Sequence, residues 1–287
     1  MIKENTEVVV IGGGVIGVSL AYGMVKKGAK VILIDKVDNR LTASRGNFGL
    51  VWVQGKGKGM PRYVEWCIEA TERWPEFAEN LETETGFDLN YEKTGGLEIC
   101  LGEEEHQERI NFIEEMSQAS SSGRYDCEMI SRKELQSMLP KITLGKEVSG
   151  GSFCSHDGCV NPLNLIKAMN SSFQQKGGGY RPEQTVQKIE CSSSEFKIET
   201  GTHIFNAEKL VIAGGLMTTK LARMVGMEVP VIPERGQILV TERTSRVFNY
   251  PTAGIRQNFD GSFMLGSSHE AVDYDTETSY EVLQNIA

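Results

Sequence analysis

The chain has 287 residues, of which 39% are hydrophobic and 24% charged, and its formal net charge is −9. These proportions are typical of a folded globular protein and exclude a disordered polymer. The acidic field opposes binding to nucleic acid or anionic lipid, so we expect neither partner. We find no apolar run long enough to be a transmembrane segment and no signal-peptide pattern, so we expect a cytoplasmic protein.

The first 35 residues predict a βαβ unit. Residues 8–11 are a β-branched run, typical of a strand buried on both faces of a parallel sheet. Residues 15–27 carry apolar side chains at helical spacing and end at Gly28, a common helix stop. A second buried strand follows at residues 31–34, so the unit should have a right-handed crossover.

A glycine motif, Gly12-x-Gly14-x-x-Gly17, joins the first strand to the helix. Such glycines permit a tight turn, close approach of a diphosphate and packing of helix on strand, and the helix N-terminus attracts the phosphates. Asp35 follows about 20 residues later, where an acid accepts hydrogen bonds from ribose hydroxyls. A glycine-rich turn without a ligand is the alternative. The predicted dinucleotide contacts here are Gly12, Gly14, Val15, Ile16, Gly17, Asp35 and Lys36.

The rest of the chain predicts further helices and strands around a long loop at residues 42–59, and loops of this length are usually functional or disordered. The predicted helices span residues 61–81, 103–119, 161–175 and 276–286. The predicted strands span residues 97–101, 151–154, 186–189, 209–215, 238–241, 254–258 and 263–265, with a hairpin at 196–204 that turns at Thr200-Gly201.

The six cysteines are scattered and form no CxxC pair, so we expect reduced thiols rather than a disulfide framework. One short segment carries four side chains of the metal-ligating types, namely Cys154, His156, Asp157 and Cys159. Their spacing matches no zinc pattern, and ordinary turn chemistry accounts for them. We therefore predict no metal site.

Residues 42–50, TASRGNFGL, resemble the second flavin-contacting motif of the D-amino acid oxidase-like family of FAD-dependent amine oxidoreductases. Later segments agree with that family in order: Asp157-Gly158-x-x-Asn161-Pro162, Val186, Ala213-Gly214-Gly215, Pro230-Val231-x-Pro233-x-Arg235-Gly236-Gln237, Gly254-Ile255-Arg256, Asp260-Gly261 and Leu265-Gly266. Within the family, residues 44–57 are most similar to the B subunits of opine (octopine and nopaline) oxidases, and then to proline and hydroxyproline dehydrogenase β subunits. An NAD-dependent dehydrogenase would leave residues 44–50 unexplained.

This resemblance implies FAD as the cofactor. Ser44 and Arg45 would hold the diphosphate and ribityl region, and residues 47–51 would run beside the isoalloxazine ring. The implied contacts beyond the βαβ unit are Ser44, Arg45, Asn47, Phe48, Gly49, Leu50, Val186, Ala213 and Gly214. Arg45 could instead be a surface cation and Ala213-Gly214 a plain strand end. Covalent family members often carry a histidine in the loop matching residues 42–50, and none occurs here, so we predict noncovalent FAD.

The resemblance also implies oxidation of the CH–NH bond of an amino or imino acid, of opine, D-amino acid, glycine, sarcosine or proline type, by hydride transfer to the flavin. Electrons would pass to partner subunits rather than to oxygen. No catalytic residue is assigned. Gln54 and Arg256 are candidates for substrate contact, with a solvated loop and a structural arginine as the alternatives.

Family chains continue beyond the point that matches Ala287, so we expect a truncated chain, and a noncatalytic nucleotide-binding remnant is the alternative to an enzyme. The predicted fold class is α/β, with a Rossmann-like FAD-binding domain and an inserted antiparallel-sheet substrate domain. Residues 1–85 and 145–226 would form the first domain. Residues 86–144 and 227–287 would form the second.

Overall fold

The computed structural model describes residues 1–36, 42–266 and 268–287. The strands are β1 (Ile2–Ile11), β2 (Val31–Ile34), β3 (Leu50–Val51), β4 (Gly96–Leu101), β5 (Glu128–Ser131), β6 (Val148–Cys154), β7 (Gly158–Cys159), β8 (Gly179–Arg181), β9 (Val186–Cys191), β10 (Phe196–Thr200), β11 (His203–Ile212), β12 (Leu239–Arg243), β13 (Ile255–Gln257) and β14 (Ser262–Leu265). The helices are α1 (Val15–Lys26), α2 (Pro61–Thr85), α3 (Gly102–Ala119), α4 (Arg132–Met138), α5 (Pro162–Gln175), α6 (Thr218–Arg223) and α7 (Tyr280–Ile286), with a 3-10 turn at Gly215–Met217.

The main sheet has six strands in the order β8-β2-β1-β11-β10-β9, and its first four strands are parallel. Because successive side chains of a strand point to opposite faces, the run at the end of β1 serves two cores. Val8 and Val10 pack into one core with residues of α1 and α5, whereas Val9 and Ile11 pack into the other. This arrangement confirms the predicted βαβ unit at the centre of an α/β domain.

The strands β1 and β11 are longer than expected, and they pair from Ile2 opposite His203 to Ile11 opposite Ile212. The predicted strand at residues 8–11 is only the second half of β1. The second arm of the predicted hairpin and residues 209–212 of the next predicted strand are likewise one strand, β11, which ends before Ala213. Antiparallel β10 and β9 extend the sheet, and Ile198 of β10 joins the same core as Val9. The antiparallel strands therefore share one of the two cores with the parallel strands.

A second, antiparallel sheet has the order β4-β6-β5 and contacts α3 and α4. A third sheet has the order β12-β14-β13. These sheets agree with the predicted α/β fold class with added antiparallel structure. The strand β6 lies in the segment assigned by sequence to the FAD-binding domain but pairs with β4 and β5, so the domain boundaries stay predictions. In the described ranges, we find no helix with the length and apolar character of a bilayer span.

The helix α5 begins as predicted, with Asn161 as its N-cap and Pro162 at its first position. The Asn161 side-chain oxygen accepts hydrogen bonds from the backbone N–H groups of Leu163 (3.0 Å) and Asn164 (3.2 Å). Such a cap satisfies helix-end donors that have no partner within the helix.

We expect Asn161→Ala to lower the free energy of unfolding by about 1 kcal/mol, because both donors lose their acceptor. Urea denaturation of the variant and the parent measures the difference. Asn111→Ala, at an exposed position inside α3, is the matched control and should change stability by no more than about 0.5 kcal/mol. An equal loss in both variants would contradict the capping role.

Candidate cofactor site

The glycine turn after β1 is held between β11 and α1. Gly12 has a φ of +112°, and its N–H donates to the carbonyl of Ile34 at 2.9 Å. A Cβ atom on Gly12 would lie 2.3 Å from the carbonyl oxygen of Ala213, and one on Gly17 would lie 1.8 Å from the carbonyl oxygen of Gly12. Both positions therefore require glycine, which fits a cradle for a dinucleotide diphosphate.

The N-terminus of α1 faces the loop that carries Ser44. Gly14 caps the helix without a side chain, and the N–H of Val15 donates to the Ser44 hydroxyl oxygen at 3.1 Å. A Cβ atom on Gly14 would lie 3.0 Å from that oxygen. The neighbouring Ile16 is exposed. The structure thus brings Ser44 to the helix end at which the sequence places the diphosphate, and a hydroxyl there can bind a phosphate oxygen.

Asp35 lies at the carboxyl edge of the parallel sheet, where α/β folds bind their ligands. Its carboxylate accepts a hydrogen bond from the N–H of Gly13. Burial raises the pKa of the Asp35 carboxyl group, and the Gly13 N–H and the nearby Arg45 and Lys36 oppose that rise. This carboxylate is therefore placed to accept hydrogen bonds from a ribose beside the glycine turn.

Val186, the predicted adenine contact, follows a residue that contacts Asp35. The backbone N–H of Gln184 donates to the carbonyl of Asp35 at 2.8 Å, and Val186 begins β9 two residues later. Ala213 also lies at the carboxyl edge, because its N–H donates to the carbonyl of Ile11 at 2.8 Å. Gly214 follows it, and a Cβ atom there would lie 2.8 Å from Leu221. The structure therefore places Gln184, two residues before Val186, against Asp35, and it places the Ala213-Gly214 turn at the carboxyl edge of the sheet.

A cavity of about 210 Å³ opens beside the glycine turn. Its lining includes Gly13 and Tyr180, with Arg45 and Lys167 as cationic side chains. Because the protein as a whole is acidic, two cations at this place favour an anionic ligand. The contact of Arg45 with the diphosphate stays a prediction.

The segment predicted to run beside the isoalloxazine ring has a fixed backbone. The Asn47 amide donates to the carbonyl of Ala43 at 2.9 Å and accepts from the N–H of Gly49 at 2.7 Å. Gly49 has a φ of +65°, and a Cβ atom there would lie 2.1 Å from the carbonyl oxygen of Val160. Leu50 then pairs with Cys159 in a short antiparallel bridge between β3 and β7.

Arg256, a predicted substrate contact, is buried with 4% of its surface exposed. Its Nη1 donates to the backbone carbonyls of Phe48 and of Val160, the latter at 2.9 Å. The guanidinium group therefore ties the predicted flavin loop to the segment before α5. This geometry favours the structural alternative over contact with a substrate carboxylate.

We expect Arg256→Met to lower the free energy of unfolding by about 2–3 kcal/mol, because two buried carbonyls lose a donor. It should also weaken FAD binding, since the loop at Phe48 loses its tie. Chemical denaturation and FAD titration measure the two effects. The matched control is Arg243→Met, on β12, where the arginine side chain is 77% exposed. If Arg256→Met keeps the stability and FAD affinity of the parent but has a raised KM, the predicted contact of Arg256 with the substrate would be supported instead.

Gln54, the other predicted substrate contact, is fully buried. Its side-chain oxygen accepts hydrogen bonds from Arg109 at 2.7 Å and from the Ser152 hydroxyl at 2.9 Å. This position favours a structural role, in which Gln54 joins the loop to α3 and β6. The sequence contained no indication that Gln54, Arg109 and Ser152 come together. Arg109 is one of many charged residues on an acidic helix, and Ser152 is an ordinary strand residue.

The four metal-ligating side chains noted in the sequence do not converge. The Asp157 carboxylate accepts a hydrogen bond from the N–H of Val53, while Cys159 lies in β7. Burial raises the pKa of Asp157 to about 7, and hydrogen bonds from Val53 and Gln54 oppose that rise. The carboxylate thus anchors the loop that follows the predicted flavin segment.

Comparisons with known proteins identify the family of this chain. Residues 7–287 match the DAO family of FAD dependent oxidoreductases. The chain is 35% identical over 283 residues to the B subunit of opine oxidase from Agrobacterium tumefaciens (strain Ach5), covering 99% of this chain and 76% of that protein. Glycine oxidase from Geobacillus kaustophilus has the same fold, with a TM-score of 0.89 and 22% identity over 98% of this chain and 76% of that one.

L-proline dehydrogenase from P. horikoshii also shares the fold, with a TM-score of 0.83 and 21% identity over 99% of this chain and 76% of that one. The family match spans nearly the whole chain, including the glycine turn, the loop at Ser44 and the carboxyl edge at Asp35. The chain therefore belongs to the DAO family of FAD-dependent oxidoreductases, and FAD is its cofactor.

Proposed function

We propose that this protein oxidises the CH–NH bond of an opine-type substrate, a secondary amine flanked by carboxylates. The observation that carries the proposal is the 35% identity to the B subunit of opine oxidase over 99% of the chain, which includes the glycine turn and residues 44–57. Oxidation of amino acid-type substrates is common to the relatives. The choice of an opine among them is the proposal.

The proposed roles of the residues follow from their geometry. The N-terminus of α1 and the Ser44 hydroxyl bind the diphosphate of FAD, and Asp35 binds the ribose. The backbone of residues 48–51, fixed by Asn47 and Arg256, lies beside the ring system. Bound FAD supplies the acceptor for the hydride that leaves the carbon bearing nitrogen. The resulting imine is hydrolysed by water to an oxo acid and a free amine.

The test is anaerobic mixing of the FAD-loaded protein with octopine or nopaline, followed by the blue absorption of the flavin. Bleaching that is faster with an opine than with glycine, sarcosine or proline supports the proposal. Faster bleaching with one of those three would reassign the substrate, and no bleaching with any of them would contradict amine oxidation by this chain. The Arg243→Met variant serves as a control because the exposed side chain lies outside the proposed cofactor contacts.

We further propose that electrons leave the flavin for a partner protein rather than for oxygen, by analogy with a relative named as one subunit of an oxidase. The opine-reduced protein should then be reoxidised slowly by air and rapidly by an artificial electron acceptor. Rapid reoxidation by air with release of hydrogen peroxide would contradict this route.

Noncovalent attachment is also part of the proposal, since residues 42–50 lack histidine. Acid precipitation of the loaded protein should release all the flavin colour to the supernatant. Colour that stays with the precipitated polypeptide would refute noncovalent binding.

A further inference from the structure

Away from the cofactor contacts, two thiols and a carboxylate meet where β5 begins and β6 ends. Asp126, Cys127 and Cys154 each place one potential ligand atom within 4.8 Å of the others. Cys127 precedes β5 and Cys154 ends β6, and these strands pair antiparallel with Glu128 opposite Phe153. The register therefore sets the two cysteines opposite each other on neighbouring strands.

We propose, contrary to the sequence prediction of no metal site, that Asp126, Cys127 and Cys154 form a binding site for a zinc ion. Two thiolates and one carboxylate oxygen are a donor set suited to Zn²⁺ rather than to Mg²⁺ or Ca²⁺, which prefer oxygen ligands alone. Zinc binding replaces the two thiol protons, which pass to solvent. A site with three protein ligands leaves the fourth tetrahedral position for water.

The distance between a sulfur and an oxygen of the proposed ligands agrees with such a site. Tetrahedral zinc with ordinary bond lengths sets sulfur and oxygen ligands about 3.6 Å apart. The Cys154 thiol donates a hydrogen bond to Asp126 Oδ1, and the sulfur and oxygen lie 3.7 Å apart. Asp126 is 41% exposed at its side chain, so an ion can reach the two buried thiols from solvent.

The surrounding groups resemble an outer shell of a metal site. His156 Nε2 lies 3.4 Å from Asp126 Oδ1, and the Ser155 hydroxyl donates to the other carboxylate oxygen. Such hydrogen bonds orient metal ligands. His156 Nδ1 is buried and has no hydrogen-bond partner within the ranges that the structure describes.

Zinc here would join the chain before β5 to the turn after β6, which carries Asp157 and, through it, the loop at Val53. The ion would therefore stabilise the folded state, because the ligands converge only there.

The test measures zinc by elemental analysis in the purified, reduced, FAD-loaded chain after dialysis. We expect the parent to retain stoichiometric zinc and both Cys127→Ser and Cys154→Ser to lose it. Cys191→Ser, at an exposed position on β9, is the matched control and should keep it. Asp126→Asn, which changes an exposed ligand and spares the buried thiols, should weaken zinc binding by at least about tenfold.

Cobalt substitution adds a readout that does not depend on activity. Cobalt bound by two thiolates in tetrahedral geometry gives intense visible bands at longer wavelengths than flavin absorption, and these should be absent from Cys154→Ser. Parent protein that holds no zinc at saturating metal would overturn the proposal. So would zinc retained equally by Asp126→Asn and Cys154→Ser, or a Cys127–Cys154 disulfide that persists under reducing conditions.

Discussion

Gly17→Ala is expected to unfold the protein or to lower its free energy of unfolding by more than about 4 kcal/mol, and to abolish FAD binding. The new Cβ atom would lie 1.8 Å from the carbonyl oxygen of Gly12, which is backbone and cannot rotate away. Helix α1 would have to move off β1, and the turn that receives the diphosphate would move with it. Urea denaturation and FAD titration measure the two losses.

The same helix supplies the matched control. A Cβ atom on Gly23 would meet no atom of the described residues within 4 Å, so Gly23→Ala should stabilise the protein by about 0.5–1 kcal/mol through the higher helix propensity of alanine. If both variants are destabilised equally, the close approach of Gly17 to the Gly12 carbonyl oxygen is not the cause of the destabilisation.

A substitution at a third glycine, Gly14, should affect FAD binding without a large effect on stability. Among the residues that the structure describes, a Cβ atom at Gly14 would meet only the Ser44 side chain, with its hydroxyl oxygen at 3.0 Å, and that side chain can rotate. Gly14→Ala should therefore change stability by less than about 1 kcal/mol. It should still lower FAD affinity at least about tenfold, because it occupies the space in which the diphosphate approaches the backbone. Unchanged FAD affinity in a folded Gly14→Ala protein would contradict the predicted role of Gly14.

These glycines belong to the part of the molecule that the sequence predicts best. The βαβ unit depends on signals that lie within a few residues of one another, and α1 ends within one residue of its predicted end. The helix α4 carried a comparable local signal, a capping box of Ser131 and Glu134, although no helix was predicted there. Local chemistry therefore indicates where an element begins even when the element is short.

What the sequence could not predict depends on contacts between distant segments. The strands β1 and β11 are long because Ile2 pairs with His203, which is 201 positions away in the sequence. No sequence pattern near Ile2 predicts this pairing. The burial of Gln54 and Arg256 likewise follows from partners on other elements, so both looked available for substrate. A polar side chain in a loop and one in a buried network have the same sequence signature until the fold is known.

Asp157 shows how such a buried group should be detected in solution. Burial raises its pKa to about 7 from the ordinary aspartate value of 3.8. Between those pH values the folded state holds a proton that the unfolded state has released, so stability falls as the pH rises through this window. Above pH 7 the folded state bears the full free-energy cost of the buried, ionised carboxylate. The pKa shift of Asp157 corresponds to a loss of about 4 kcal/mol in the free energy of unfolding.

Asp157→Asn removes the ionisation, so the stability of this variant relative to the parent should rise from pH 4 to pH 7 and then level off. An asparagine oxygen can still accept the hydrogen bond from the Val53 N–H, so the loop keeps its anchor. Urea denaturation of both proteins across this pH range gives the difference. Asp273→Asn, at an exposed turn, is the matched control and should shift stability by no more than about 0.5 kcal/mol at any pH. If the stability difference between Asp157→Asn and the parent stays constant with pH, the carboxylate is ionised in the folded protein. The Val53 N–H would then donate its hydrogen bond to a charged carboxylate.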